Sequence, residues 1–398
     1  MSTTVAHSGG LDAGTRPADG VRQLYVHLPF CAHRCGYCDF VTVVGKAGQH
    51  DGYVDALVAE LALERHVLAD EPLETLYLGG GTPTFTEPEA LRRLLGALPA
   101  ADEVTAEANP ETVTPELAGL LRTACVNRVS LGAQSFQPRL LDVLERGASP
   151  ETVRRAVYLL RDAGFDNISL DLVYGIPGQS SSDLDSDLDQ ALDLAPEHLS
   201  CYELEAKPGT RFTHTHGAEL ERQGEAMEGY FERVVETLTA AGYRWYETAN
   251  FCLEPTHGSA LGRDLRARHN LAYWRGCDYL GIGIGAVSTV AGIRRRNGSS
   301  LAGYLRALRA GDAPPRDVEP LDEETRARER LMLGLRLDEP LRASEVERIV
   351  DGDAAERLIA GGLVELDGNG GRRSIRLTPR GRYLGGGVTA ELMRLATD

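Results

Sequence analysis

The chain has no run of eighteen apolar residues, so no segment is long enough to cross a bilayer as a helix. It also lacks the basic-then-apolar opening of an export signal, since "MSTTVAHSGGLDAGTRPADG" is small and polar. Residues 1–21 read as a disordered arm, because such residues bury too little surface to offset the entropy of ordering. Positive charge is scarce: 42 Lys and Arg stand against 59 Asp and Glu, a formal net charge of −17. Broad nucleic-acid binding needs cations against phosphates, so no nucleic-acid partner is expected. Cysteine is limited to seven residues, an odd number, four of them scattered (Cys125, Cys201, Cys252, Cys277). Without an export signal this argues against a disulfide framework and for the reducing cytoplasm.

What is present is ordinary for a globular protein: 398 residues, 42% hydrophobic and 25% charged, enough for one large domain and a smaller one. From Arg22 onward, short apolar runs alternate with amphipathic stretches. "LYVHLP", "LETLYLGG", "EVTAEA", "NRVSLGAQ", "NISLDLVY" and "HLSCYE" read as strands, with helical spacing between them. "TPELAGLLRTAC" opens with Thr114 as N-cap and Pro115 at the first helical position. This rhythm predicts an α/β fold with a parallel sheet, a full or partial (β/α) barrel over residues 22–290. Glu107, Gln134, Asp171 and Glu203 fall at or near the C-terminal ends of strands, the rim that carries chemistry in such barrels. After about residue 290 the rhythm changes. Residues 291–320 read as a helix, "LAGYLRALRAG", and a Pro-rich linker, "DAPPRDVEP". Residues 321–398 read as helices followed by a hairpin, a winged-helix-like module serving as a lid or partner surface.

The chemistry-bearing motif is "YVHLPFCAHRCGYCDF", in which Cys31, Cys35 and Cys38 are spaced C-x3-C-x2-C. Three soft thiolates on one loop can reach a single inorganic centre. One solution is zinc with His27 or His33 as fourth ligand. The other is a [4Fe–4S] cluster with one iron left open for a bound substrate or cofactor.

The cysteine spacing, with Tyr37 before the third cysteine, resembles the signature of the radical S-adenosylmethionine superfamily. "GGGTPT" after the second strand is similar to the loop that meets the methionine amino group there. The resemblance implies that Cys31, Cys35 and Cys38 hold the cluster. It implies that the open iron takes S-adenosylmethionine, and that a partial (β/α) barrel of radical SAM type carries the site. Within the superfamily, Tyr25, "GAQSF", Arg146, "DLVYGIPGQ" and "YELEAKPGT" resemble the oxygen-independent coproporphyrinogen III oxidase group. By that resemblance Tyr25, Tyr37, Gly80, Gly81, Thr82, Glu107, Gln134, Arg146 and Asp171 line the cofactor site. Two features separate this chain from the oxidases: Phe40 stands where they carry a further cysteine, and "HNLAYW" (His269–Trp274) is present. Both are similar to the HemW family of haem chaperones. That resemblance implies haem as ligand, haem-accepting respiratory proteins as partners, and a C-terminal HemW/HemN-type module. It leaves room for a homodimer and for peripheral membrane association without a span. Val287 follows "YLGIGIGA", where those chaperones commonly carry histidine. His269 is the candidate haem contact, with Tyr273 one helical turn on and arginines nearby for the propionates. His214 and His216, in the polar stretch "THTHG", are its competitors and are expected in a loop. The rival reading of the whole chain is an oxidase acting on coproporphyrinogen propionates. The bland reading of "HNLAYW" is an aromatic anchor between barrel and C-terminal module.

Overall fold

The computed structural model describes residues 19–46, 48–70, 72–205, 211–254, 263–368 and 373–393. The expected N-terminal arm lies outside them up to residue 18. Its last residue belongs to the fold, because Val21 is buried and its N–H donates to the Val67 carbonyl at 2.9 Å.

Six βα units open the chain. The strands are β1 (Gln23–Leu28), β2 (Leu73–Gly80), β3 (Ala101–Ala108), β4 (Arg128–Gln134), β5 (Ile168–Tyr174) and β6 (His198–Glu203). Between them lie α1 (His50–Glu64), α2 (Pro88–Ala97), α3 (Pro115–Thr123), α4 (Pro138–Val143), α5 (Pro150–Asp162) and α6 (Ser181–Asp193). Local chemistry starts these helices. Thr114, Ser149 and Ser180 accept from the N–H three residues on, and a proline opens four of the six. Then come α7 (Arg211–Gln223), α8 (Met227–Ala240), the hairpin β7 (Tyr243–Glu247) and β8 (Asn250–Leu253), α9 (Arg268–Trp274) and β9 (Leu280–Ile282).

Among the described residues these strands form one sheet in the order β9-β1-β2-β3-β4-β5-β6-β8-β7. It is parallel from β9 to β6, and β8 pairs antiparallel with both β6 and β7. The edges β9 and β7 do not meet, so the barrel is partial, as expected. β1 and β4 are covered on both faces and buried almost throughout, their polar residues Gln23, His27, Arg128 and Ser130 included.

Beyond the barrel, β10 (Val287–Val290), β11 (Ile293–Asn297) and β12 (Arg316–Pro320) form an antiparallel sheet, with α10 (Leu301–Arg309) between the last two. The stretch expected as a linker therefore contributes a strand. Arg316 explains why it is held: its guanidinium reaches Glu64 at 2.7 Å and Glu60 at 3.4 Å, both buried on α1.

A second hydrophobic core follows, with Leu331, Leu335, Ile375, Leu377 and Leu392 at its centre. It is built by α11 (Glu323–Gly334), β13 (Leu341–Arg342), α12 (Gly352–Ala360), β14 (Val364–Asp367), β15 (Ser374–Leu377), α13 (Pro379–Tyr383) and α14 (Gly385–Leu392), the three strands forming a small antiparallel sheet. Fixed charges fasten it to the barrel. Arg244 pairs with Asp338 at 2.7 Å, and Arg336 pairs with the buried Glu247 at 2.7 Å. Arg336 also lies 4.4 Å from the Trp274 ring centre, and Arg382 lies 3.7 Å from that of Trp245.

Candidate functional site

The cysteine loop leaves β1 at its C-terminal end and is tied back twice. The Val43 N–H donates to the Pro29 carbonyl at 2.8 Å. The His27 ring bridges the loop's two ends, with Nε2 2.8 Å from the Val41 carbonyl and Nδ1 3.1 Å from the Tyr25 hydroxyl. A carbonyl can only accept, so Nε2 carries the proton and Tyr25 donates to Nδ1. Burial lowers the His27 pKa, which keeps this neutral tautomer. His33 is also engaged, its Nε2 2.7 Å from the Glu145 carbonyl. Both His27 nitrogens are thus taken up in hydrogen bonds, which leaves none for zinc. Among the described residues no three His, Cys, Asp or Glu side chains are gathered to hold a single metal ion. Three separated thiols suit a cluster, where each takes a different iron.

The chain packs two glycines against this loop. A side chain at Gly81 would stand 2.5 Å from the Pro29 carbonyl oxygen and 2.9 Å from Cys31 Sγ. Gly80 has φ +116°, and a Cβ there would stand 2.6 Å from the His27 ring. Only glycine lets the end of β2 lie this close to the cysteine loop.

An arc of hydrogen bonds joins two of the cysteines across three strand ends. Cys31 Sγ lies 3.6 Å from Thr82 Oγ1, and Asn109 Nδ2 donates to that oxygen at 3.0 Å. Arg146 donates to Asn109 Oδ1 at 2.8 Å, to the Gly132 carbonyl at 3.0 Å and to Cys35 Sγ at 3.7 Å. All three cysteines are free thiols. Burial pushes the Cys31 and Cys38 thiols up, while Thr82 and Arg146 pull Cys31 down. The arc thus places a cation and a hydroxyl beside sulfurs that would carry negative charge as ligands. This is the fit of the chain to a cluster.

The rim carboxylates lie across the same end. Glu107 accepts from the Tyr77 hydroxyl at 2.8 Å and the Gly80 N–H at 3.1 Å. Burial lifts its pKa from 4.5 to about 7. Asp171 accepts from Ser130 at 3.1 Å; burial raises its carboxyl, opposed by Ser200, Ser130 and two arginines. Gln134 ends β4 with φ +64° at a shift in register, and its amide lies where a Gly132 side chain would go. A non-glycine residue in that backbone region is strained, a feature that clusters at ligand sites. Tyr37 packs edge-on against Phe212 at 6.3 Å, outside the arc. Glu203 closes β6 on the same rim, exposed. Asn109 was not singled out from the sequence, and neither was the His27 clasp. Both are contacts between segments distant in sequence, which local pattern does not encode.

His269 lies elsewhere. It is buried beside Thr75, near the opposite end of β2, with Nδ1 2.8 Å from Thr75 Oγ1 and Nε2 2.9 Å from the Tyr273 hydroxyl. The backbone N–H groups of Arg268 and His269 point at Glu103, near the start of β3. Its ring stacks on Tyr77 at 5.0 Å, and burial lowers its pKa to about 3. In this arrangement both ring nitrogens are hydrogen-bonded within the chain. "HNLAYW" packs at the N-terminal end of the barrel through His269, while Tyr273 reaches the cavity that Asp39, Phe40 and Val41 line after the third cysteine. His214 and His216 sit in α7, a helix rather than the expected loop, and His216 packs on Phe212.

Comparison with known proteins follows the same outline. The Radical SAM superfamily pattern matches residues 25–191 and the HemN C-terminal domain matches residues 321–384. A heme chaperone HemW of Mycobacterium tuberculosis is 35% identical over 93% of this chain and 94% of its own length. An oxygen-independent coproporphyrinogen III oxidase of Pseudomonas aeruginosa is 30% identical over 93% of this chain and 85% of its own. The solved structure of the Escherichia coli coproporphyrinogen III oxidase HemN, described as a radical SAM enzyme, superposes with a TM-score of 0.77. That likeness covers 96% of this chain and 92% of the other at 23% identity, and it speaks to the fold. By its similarity over nearly its whole length, with both domains in place, the chain belongs to the HemW family within the radical SAM superfamily.

Proposed function

We propose that this chain is a cytoplasmic haem chaperone that binds haem and passes it to haem-accepting respiratory proteins. The observation that carries the reading is end-to-end similarity to a protein named as a heme chaperone, higher than that to the oxidase. Phe40 in place of a further cysteine and the "HNLAYW" helix support the same side. No helix among the described residues is long and apolar enough to cross a membrane.

In this reading Cys31, Cys35 and Cys38 hold a [4Fe–4S] cluster, a superfamily trait that would supply one-electron chemistry to S-adenosylmethionine. The chain's own residues do the positioning. Thr82 and Arg146 stabilise the ligand thiolates, and His27 fixes the loop's span through Val41. Glu107 and the Gly79–Gly81 backbone stand ready for an amino group, and Asp171, held by Ser130, for ribose hydroxyls. Arg146 would meet a carboxylate beside Cys35. A second reading, a coproporphyrinogen oxidase, draws on the shared barrel. The deciding experiment loads the reconstituted protein with haem anaerobically, adds an apo-cytochrome and separates the two. Haem moving to the acceptor supports a chaperone, and haem retained throughout speaks against one.

A further inference from the structure

We infer that haem seats in the cleft between the barrel and the C-terminal module, formed by α9, the turn before β9, and α11. The inference rests on the haem-chaperone reading and names where that ligand goes.

The cleft holds about 780 Å³, within the range of pockets that enclose ligands of this size. One wall is aromatic, made by Tyr273, Trp274 and Tyr279. The facing wall is aliphatic, made by Leu321, Ala327 and Leu333. A slot with ring faces on one side and methyl groups on the other suits a flat apolar macrocycle. This gives "HNLAYW" two faces: His269 turns into the barrel, while Tyr273 and Trp274 form the cleft wall.

The rim suits two carboxylates. Four arginines line the cleft, and three have partners: Arg348 with Glu323, Arg330 with Glu345, and Arg294 with Glu329. The Arg326 guanidinium makes no hydrogen bond or ion pair with any described residue and lies along Gly292. The Arg348–Glu323 pair is 70% and 67% exposed, so exchanging Glu323 for a propionate costs little. One propionate goes to Arg326 and the other to Arg348.

Other cavities fit less well. The one beside the cysteine loop holds about 230 Å³, too little for a porphyrin. The one under the barrel holds about 450 Å³ and has no aromatic side chain in its lining. A groove of about 490 Å³ at α10 offers Lys46, Arg306 and Arg309 but no aromatic wall.

The test is anaerobic titration of the reconstituted full chain with haem, followed at the Soret band. It compares wild type with Arg326→Glu, with Ser344→Trp, which fills the cleft from an exposed position, and with Arg306→Glu/Arg309→Glu at the other groove. Cluster absorbance and circular dichroism verify the fold of each. Arg326→Glu should weaken binding by roughly ten- to a hundredfold, the worth of a charged hydrogen bond, and Ser344→Trp should weaken it by blocking the cleft. The α10 double variant should bind as wild type does. If wild type binds haem and the two cleft variants bind equally well, the seat is not here, while the haem-binding reading stands. Loss confined to the α10 variant places haem in that groove and overturns the assignment. If wild type binds no haem, the chaperone reading itself fails.

Discussion

Replacing Glu107 with glutamine should stabilise the protein at high pH while it weakens S-adenosylmethionine binding. Burial lifts this carboxyl from 4.5 to about 7; the Tyr77 hydroxyl and Gly80 N–H oppose the rise, and the Asp171 charge adds to it. With its pKa raised, the folded state binds more protons than the unfolded chain between pH 4.5 and 7. Stability from this group is therefore fully present below pH 4.5 and is lost as pH climbs through 7. Above that point, holding the ionised carboxylate costs up to about 3 kcal/mol. Glutamine does not titrate; its one carbonyl oxygen accepts from the Gly80 N–H, and its NH2 donates to the Tyr77 hydroxyl oxygen in place of the second native bond. The assay is thermal melting of cluster-loaded, cofactor-free protein at pH 5 and pH 8. Glu107→Gln should melt within a degree or so of wild type at pH 5, and clearly higher at pH 8, by the ~3 kcal/mol above at most. Calorimetry at pH 8 should show weaker S-adenosylmethionine binding in the variant, because the amino group loses its counter-charge. An equal melting difference at both pH values would show that Glu107 does not titrate near 7. Unchanged affinity would remove it from the cofactor site.

Three further outcomes follow from the geometry. Alanine at any of Cys31, Cys35 or Cys38 should abolish the broad cluster absorbance after anaerobic reconstitution, whereas alanine at Cys125 or Cys252 should leave it; equal loss from both groups would disprove the ligand assignment. Asp171→Ala should keep the cluster and lower S-adenosylmethionine affinity by about 1.5–3 kcal/mol in calorimetry, the worth of a hydrogen bond to a charged acceptor. His269→Ala should destabilise the fold by about 2–4 kcal/mol in denaturant melts, since it strands the Thr75 and Tyr273 hydroxyls and leaves a cavity under Tyr77. Haem binding should persist in that variant below its new melting point, and its loss there would restore His269 as a haem contact.

The barrel was legible because each strand and each cap is a local event: β1 is a buried, mostly apolar run, and Thr114 with Pro115 starts α3. The cysteines and "GGGTPT" were legible because their chemistry needs a fixed spacing. The strand at Arg316–Pro320 was hidden because its reason lies in Glu60 and Glu64, some 250 residues earlier on α1. His269 was legible only in part, for a related cause. Helical spacing put it on one face with Tyr273, and the two do bond, but the imidazole is spent inside the barrel. Asn109 carries no signal of its own and gains a role only when β4 and Arg146 arrive beside β3.

The most direct measurement is a paired one on the anaerobically reconstituted full chain. One half is titrated with haem, and the other is incubated with coproporphyrinogen III, a reductant and S-adenosylmethionine. A haem chaperone gives saturable haem binding and no protoporphyrinogen. Protoporphyrinogen formation without haem binding would contradict that function and identify the chain as an oxidase.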